Sequence, residues 1–149
     1  MTVPLVDVKK ISHPDMMQVA FRIRTEVFVE EQNVPAEDEL DEFEDIAIHF
    51  LAFIDQKPVG TARYRYTGKG IKFERFAVLK PYRQSGVGRK LVEAVINDIQ
   101  QNPDNAGLTC YLHGQVRVVG FYEKFGFRSE GDQFDECGIM HYLMKRHMT

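Results

Sequence analysis

The residues best placed to do chemistry are Arg83, Gln84, Ser85, Gly86, Val87 and Gly88, a short glycine-bearing loop. Residues 71–79 before it read as a strand. After it an apolar stripe recurs at Val87, Leu91, Val95 and Ile99, with Val92 alongside, and that spacing predicts a helix. A loop that opens a helix leaves the first backbone N–H groups without partners. It aims them, with the positive end of the helix dipole, at one point. Such a point binds anions, and phosphate is the usual one. The loop therefore predicts a phosphate-bearing cofactor. Read alone, the same residues also describe an ordinary turn ahead of a surface helix.

Two common phosphate loops do not fit. The nucleotide P-loop ends in Gly-Lys-Ser/Thr, whereas Gly88 is followed by Arg89, Lys90 and Leu91. The dinucleotide loop needs a third glycine where Leu91 stands. Arg83, Gly86 and Gly88 do satisfy Arg/Gln-x-x-Gly-x-Gly/Ala. On these residues the chain resembles the GCN5-related N-acetyltransferase (GNAT) superfamily, whose loop holds the pyrophosphate of acetyl-coenzyme A. Downstream, Phe121, Tyr122, Lys124, Gly126 and Phe127 match that superfamily's Phe-Tyr-x-Lys-x-Gly-Phe signature, in the right order after the loop. A finer resemblance is to the ElaA-like branch. Arg24, Val27, Phe28, Glu31 and Gln32 match its Arg-x-x-Val-Phe-x-x-Glu-Gln helix end, and Glu136, Gly138, Ile139, His141 and Met144 resemble its closing strand pair. Gln115 stands seven residues before Tyr122, where many relatives carry Asn.

The resemblance implies an α/β (α+β) fold with a mixed, mostly antiparallel sheet of about seven strands flanked by about four helices. It implies acetyl-coenzyme A as co-substrate and direct attack by a primary amine. Backbone N–H groups of Gln84, Ser85, Gly86, Val87, Gly88 and Arg89 would hold the pyrophosphate. Arg83, Arg89 and Lys90 would add charge there, or be ordinary surface cations. Phe76, Ala77 and Val78 would present backbone to the pantetheine arm at a strand bulge, with the N–H of Val78 or Phe76 polarising the thioester carbonyl. Gln115, Phe121 and Lys124 would also contact the cofactor. Tyr122 would protonate the departing thiolate, or be a core tyrosine. Glu74 would be the general base if partial burial raised its pKa, or else a cross-strand partner of Arg63, Arg65 or Arg75. Glu30, Glu31, Glu136 and His141 would line the acceptor side as second choices for the base, and His113 sits equally near the presumed site.

The elements that must position these groups follow from pattern. The 149 residues suit one domain, 1–149, with a real core. A weakly alternating strand falls within residues 3–11. Ser12 reads as the cap of a helix with Pro14 in its first turn, and Met16, Ala20, Ile23 and Val27, beside Val19, mark the buried face of that helix. Residues 48–55 and 59–67 read as a hairpin turning at residues 55–58. Residues 68–70 turn the chain into the strand before the glycine loop. Residues 108–113 read as a strand, 116–125 as a short helix ending at Gly126, and 127–134 with 139–145 as a last hairpin. Residues 37–45 carry seven acidic side chains in nine. They make either a solvated loop, anchored by Leu40 and Phe43, or a mouth that attracts a cationic amine.

A net charge of −3 argues against nucleic acid as a partner. There is no apolar run of about 18 residues for a membrane, and no export signal. Cys110 and Cys137 are therefore expected as reduced thiols in a cytoplasmic protein. The five histidines are scattered and the cysteine pair lacks ligand spacing, so no metal is expected. The favoured acceptor is a small-molecule amine. A peptide or protein acceptor, an amino-sugar phosphate held by Arg22, Arg24, Arg63 and Arg65, and a non-catalytic acyl-coenzyme A sensor are the alternatives. A homodimer is compatible with the pattern.

Overall fold

A computed structural model describes residues 5–148. The sheet runs β1 (Val6–Lys10), β2 (Ile48–Ile54), β3 (Lys57–Thr67), β4 (Gly70–Val78), β5 (Thr109–Gln115), β7 (Ile139–His147) and β6 (Arg128–Glu136) in spatial order. Every neighbouring pair is antiparallel except β4 and β5. The helices are α1 (Pro14–Arg24), α2 (Ala36–Glu39), α3 (Val87–Gln100) and α4 (Val119–Glu123). This is the mixed, mostly antiparallel seven-stranded sheet with four helices that the resemblance implies. No helix among the described residues is long and apolar enough to cross a membrane.

Two apolar layers hold the sheet. On one face α3 lays down Val87, Leu91, Val92, Val95 and Ile99, all essentially inaccessible, against Phe73, Leu112 and Tyr122. Burying each such side chain contributes about 1.5–3 kcal/mol. Gly60 makes the close approach possible, since a Cβ there would stand 2.9 Å from a Val87 methyl and 3.1 Å from the Ala77 carbonyl. On the other face Ala20, Ile23 and Val27 pack on Leu51 and Ala77, with Met16 and Val19 at the margin.

Some local expectations shift. His13, not Ser12, precedes the first helical residue, and it caps with no side-chain bond. Pro14 forces the residue before it into the extended region, which moves the boundary by one. The part of the first predicted strand at Val3 lies outside the described residues. The β2–β3 hairpin turns on Asp55 and Gln56 alone, both left-handed, so Lys57 and Pro58 already belong to β3. Past Arg24 the first helix widens into a π-helical turn, Thr25–Glu31, a feature frequent at functional sites.

Candidate active site

The glycine loop ends at Gly86, which is left-handed with φ +84° and opens α3; Gln84 is left-handed as well. The first helical bond runs from Lys90 N–H to the Gly86 carbonyl. The amides of Val87, Gly88 and Arg89 therefore have no helical partner, which is the geometry of an anion site. A Cβ on Gly88 would meet the Phe121 ring at 3.3 Å, so this glycine lets α3 and α4 approach beside the loop. Arg83 is engaged: its guanidinium donates to both Glu31 carboxylate oxygens at 2.5 and 2.7 Å, and its Nε to the Val78 carbonyl at 2.9 Å. Arg89 faces Glu93 at 3.8 Å on the surface. Lys124 and Phe125 lie in a shallow groove between α3 and α4.

Strand β4 carries the expected bulge. Thr61 faces Ala77 but Arg63 faces Glu74, so Arg75 and Phe76 stand opposite a single β3 residue. Arg75 is left-handed at φ +57°. Beyond Phe73 the pairing of β4 with β5 stops, and the two strands part. In an antiparallel ladder alternate residues bond to the neighbour. Leu79 N–H donates to the Val59 carbonyl at 2.9 Å, so Val78 turns its own N–H away from β3, toward the gap.

A cleft of about 470 Å³ opens at this gap, lined among others by Phe28, Gln32, Phe76, Gln115 and Tyr122. Gln115 donates to Gln32 at 2.9 Å and so joins β5 to the π-helical end of the first helix. Tyr122 is 8% exposed, and Phe76, Phe121 and Phe127 all meet its ring edge-on. Its hydroxyl has no hydrogen-bond partner among the described residues. Burial pushes its pKa up, so it reaches the cleft as a neutral donor.

Glu74 departs from the expected base. Burial alone would raise its pKa, but Arg63, with further contributions from Lys72 and Arg65, outweighs it and holds the carboxyl below the usual range. Arg63 donates to Glu74 at 2.7 Å and Arg65 bonds the other oxygen. A carboxylate held ionised by two guanidinium groups is a poor proton acceptor, so the geometry realises the cross-strand alternative. The acidic segment joins the same network. Glu39 and Glu44 bond the buried Arg24, while Asp41 and Glu44 bond the buried Arg63. Arg75 reaches Asp41 at 3.2 Å from the bulge itself. Phe43 lies 3.7 Å under the Arg65 guanidinium, whereas Leu40 is half exposed and anchors nothing. Three of the seven acids are thus pinned to α1 and the sheet, and the segment is neither a free loop nor a bare acidic mouth.

Of the predicted acceptor-side groups, Glu136 and His141 line the cleft. Glu30 and Glu31 do not: Glu30 is exposed on the helix end and Glu31 belongs to Arg83. Residues not anticipated at the cleft include Lys72, Gln32 and Ile139, which stands opposite Glu136 across β6 and β7. Gln32 and Ile139 had a signal, each as a residue of a matched motif, and Lys72 had none. Among the described residues no group of three or more His, Cys, Asp or Glu side chains is arranged for a metal ion.

Comparison with known proteins bears on the family and the fold. A family model described as an acetyltransferase (GNAT) domain matches residues 12–148. A Bacillus subtilis (strain 168) protein provisionally named an acetyltransferase is 41% identical over 95% of this chain and 96% of its own. A crystal structure provisionally named an N-acetyltransferase, from Lactobacillus plantarum, superposes with a TM-score of 0.86 at 25% identity, covering 97% of this chain and 99% of that one. Escherichia coli ElaA is 28% identical over 85% of this chain and 84% of its own, and its crystal structure superposes with a TM-score of 0.84 over 95% and 99% of the two chains.

Proposed function

The chain belongs to the acetyltransferase (GNAT) family and is an acetyl-coenzyme A-dependent acyltransferase; from that premise we propose that its acceptor is a small primary amine, which attacks the thioester directly. The observation that carries the reading is a coincidence of place. The parting of β4 and β5 and the Tyr122 hydroxyl, unpartnered among the described residues, meet at one cleft lined as far as Phe76, and two residues further on Val78 turns its N–H away from β3.

In this reading the amides of the glycine loop take the pyrophosphate, and the gap between β4 and β5 takes the pantetheine arm. The Val78 N–H stabilises the oxyanion, an effect typically worth about 3–4 kcal/mol per donor. Tyr122 gives its phenolic proton to the leaving thiolate. The amine arrives from the face covered by the first helix and the acidic segment. A small acceptor is favoured over a lysine-bearing chain because Glu39, Asp41 and Glu44 are already neutralised by arginines.

Calorimetry with acetyl-coenzyme A, on the wild type and on Gly86→Glu, tests the loop. Binding by the wild type that the variant loses supports the reading. A panel of primary alkylamines and arylalkylamines, scored by thiol release, tests the acceptor class. Acceptance of lysine peptides but of no small amine would replace the acceptor half of the proposal.

A further inference from the structure

At the mouth of the cleft, outside the machinery assigned above, Glu136 sits between two imidazoles. His113 Nδ1 is 3.0 Å from Glu136 Oε1, and His141 Nε2 is 3.6 Å from Oε2. An ionised carboxylate only accepts, so His113 Nδ1 is the donor, and in the neutral imidazole the lone pair belongs to Nε2. No protein group bonds that nitrogen among the described residues. His141 is committed differently, donating from Nδ1 to the Ile139 carbonyl at 2.7 Å. Phe134 braces both rings, meeting His113 edge-on at 5.1 Å and stacking on His141 at 5.9 Å. The β6 irregularity between Glu130 and Phe134 precedes this group, and bulges of this kind re-aim side chains.

The sheet decides what His113 faces. Leu112 packs into the α3-side core with Tyr122. The next residue on a strand points to the opposite face, so His113 looks to the amine side, one position past the last β4–β5 pair. Acid and lone pair therefore lie on opposite faces of the sheet, with the gap for the thioester between them.

We propose that His113 is the catalytic residue that accepts the proton of the incoming amine, with Glu136 as its positioning residue. The inference rests on the acetyl-transfer reading. An ammonium acceptor gives one proton to His113 Nε2. Its freed lone pair then bonds the thioester carbonyl carbon. As the carbonyl re-forms, the C–S bond breaks and the thiolate takes the Tyr122 proton. The second proton on nitrogen leaves to water, and water restores both side chains. The products are amide, thiol and one proton. The other groups facing His113 are Tyr111 on its own strand, Phe134 and Glu136 from β6 and its turn, His141 from β7 and Lys72 from β4.

The test compares two nucleophiles, the best primary alkylamine of the panel and hydroxylamine. The alkylamine is protonated at neutral pH and needs a base; hydroxylamine is already neutral. His113→Gln should lower the alkylamine-to-hydroxylamine ratio of kcat/KM by about 100-fold or more, with acetyl-coenzyme A binding retained. Glu136→Gln should lower the alkylamine rate and move the acid limb of its pH profile downward, because the imidazolium loses its carboxylate. Equal losses for both nucleophiles, or an acid limb that ignores both substitutions, would overturn the assignment and leave His113 structural. Wild-type protein that turns over neither nucleophile would mark failure of the transfer reading itself, and the proposal falls with it.

Discussion

Arg63 Nη2 and Glu74 Oε2 stand 2.7 Å apart across β3 and β4, where the β4 bulge begins. The guanidinium is fully buried and the carboxylate nearly so. The pair ties the bulge to the acidic segment, because Arg63 also holds Asp41 and Glu44. Glu74→Gln strips Arg65 of its carboxylate and leaves Arg63 with less charge than it needs. Removing one member of a buried pair costs about 3–5 kcal/mol, and urea unfolding should read a loss of that order. The acid limb of turnover should persist in this variant.

Acid sensitivity follows from the same network. Arg63 and the Phe43 amide overcome burial and hold Asp41 down at about 2, and Glu74 and Glu44 are also depressed. A carboxyl depressed in the folded state stabilises above its unfolded pKa and loses that contribution as pH falls through the folded value. Stability should therefore be level above roughly pH 4–5 and fall toward pH 2. Asp41→Asn should flatten part of that fall in a pH series of melting curves.

Tyr122→Phe removes only a hydroxyl that has no partner among the described residues, so packing against Phe76 and Phe127 should survive. Turnover should drop by about 10²–10⁴ while calorimetry shows acetyl-coenzyme A binding little changed. Retained turnover would return Tyr122 to the core.

Glu31 holds the Arg83 guanidinium through both carboxylate oxygens. With Glu31→Gln the guanidinium is free to face an anion at the loop, and acetyl-coenzyme A should bind about two- to five-fold tighter at low salt, consistent with the small worth of a surface pair. The gain should shrink as ionic strength rises. Weaker binding would mean that the Glu31 contact orders the loop.

Leu91→Ala opens a cavity beneath α3 beside Gly60, where the helix packs closest. The expected cost is about 2–5 kcal/mol, measured by chemical denaturation, with the amides that open α3 left in place.

What the sequence determined is what local spacing encodes. The stripe from Val87 to Ile99 is buried on α3 as its 3.6-residue period demands, Gly86 takes the left-handed φ that its place before the helix needs, and Tyr122 follows from a contiguous signature. Pairing across the sheet is a different kind of information. Whether Glu74 meets a proton or a guanidinium depends on which β3 residue stands opposite, and the bulge at Arg75 is defined only by that register. The acidic segment has no periodicity to declare that Arg24, Arg63 and Arg75 lie beneath it, since those partners are 15 to 37 residues away. His113 and Glu136 meet only because β5, β7 and β6 lie side by side. Local chemistry is written in neighbouring residues; the electrostatics of a buried site are set by strands that the fold alone brings together.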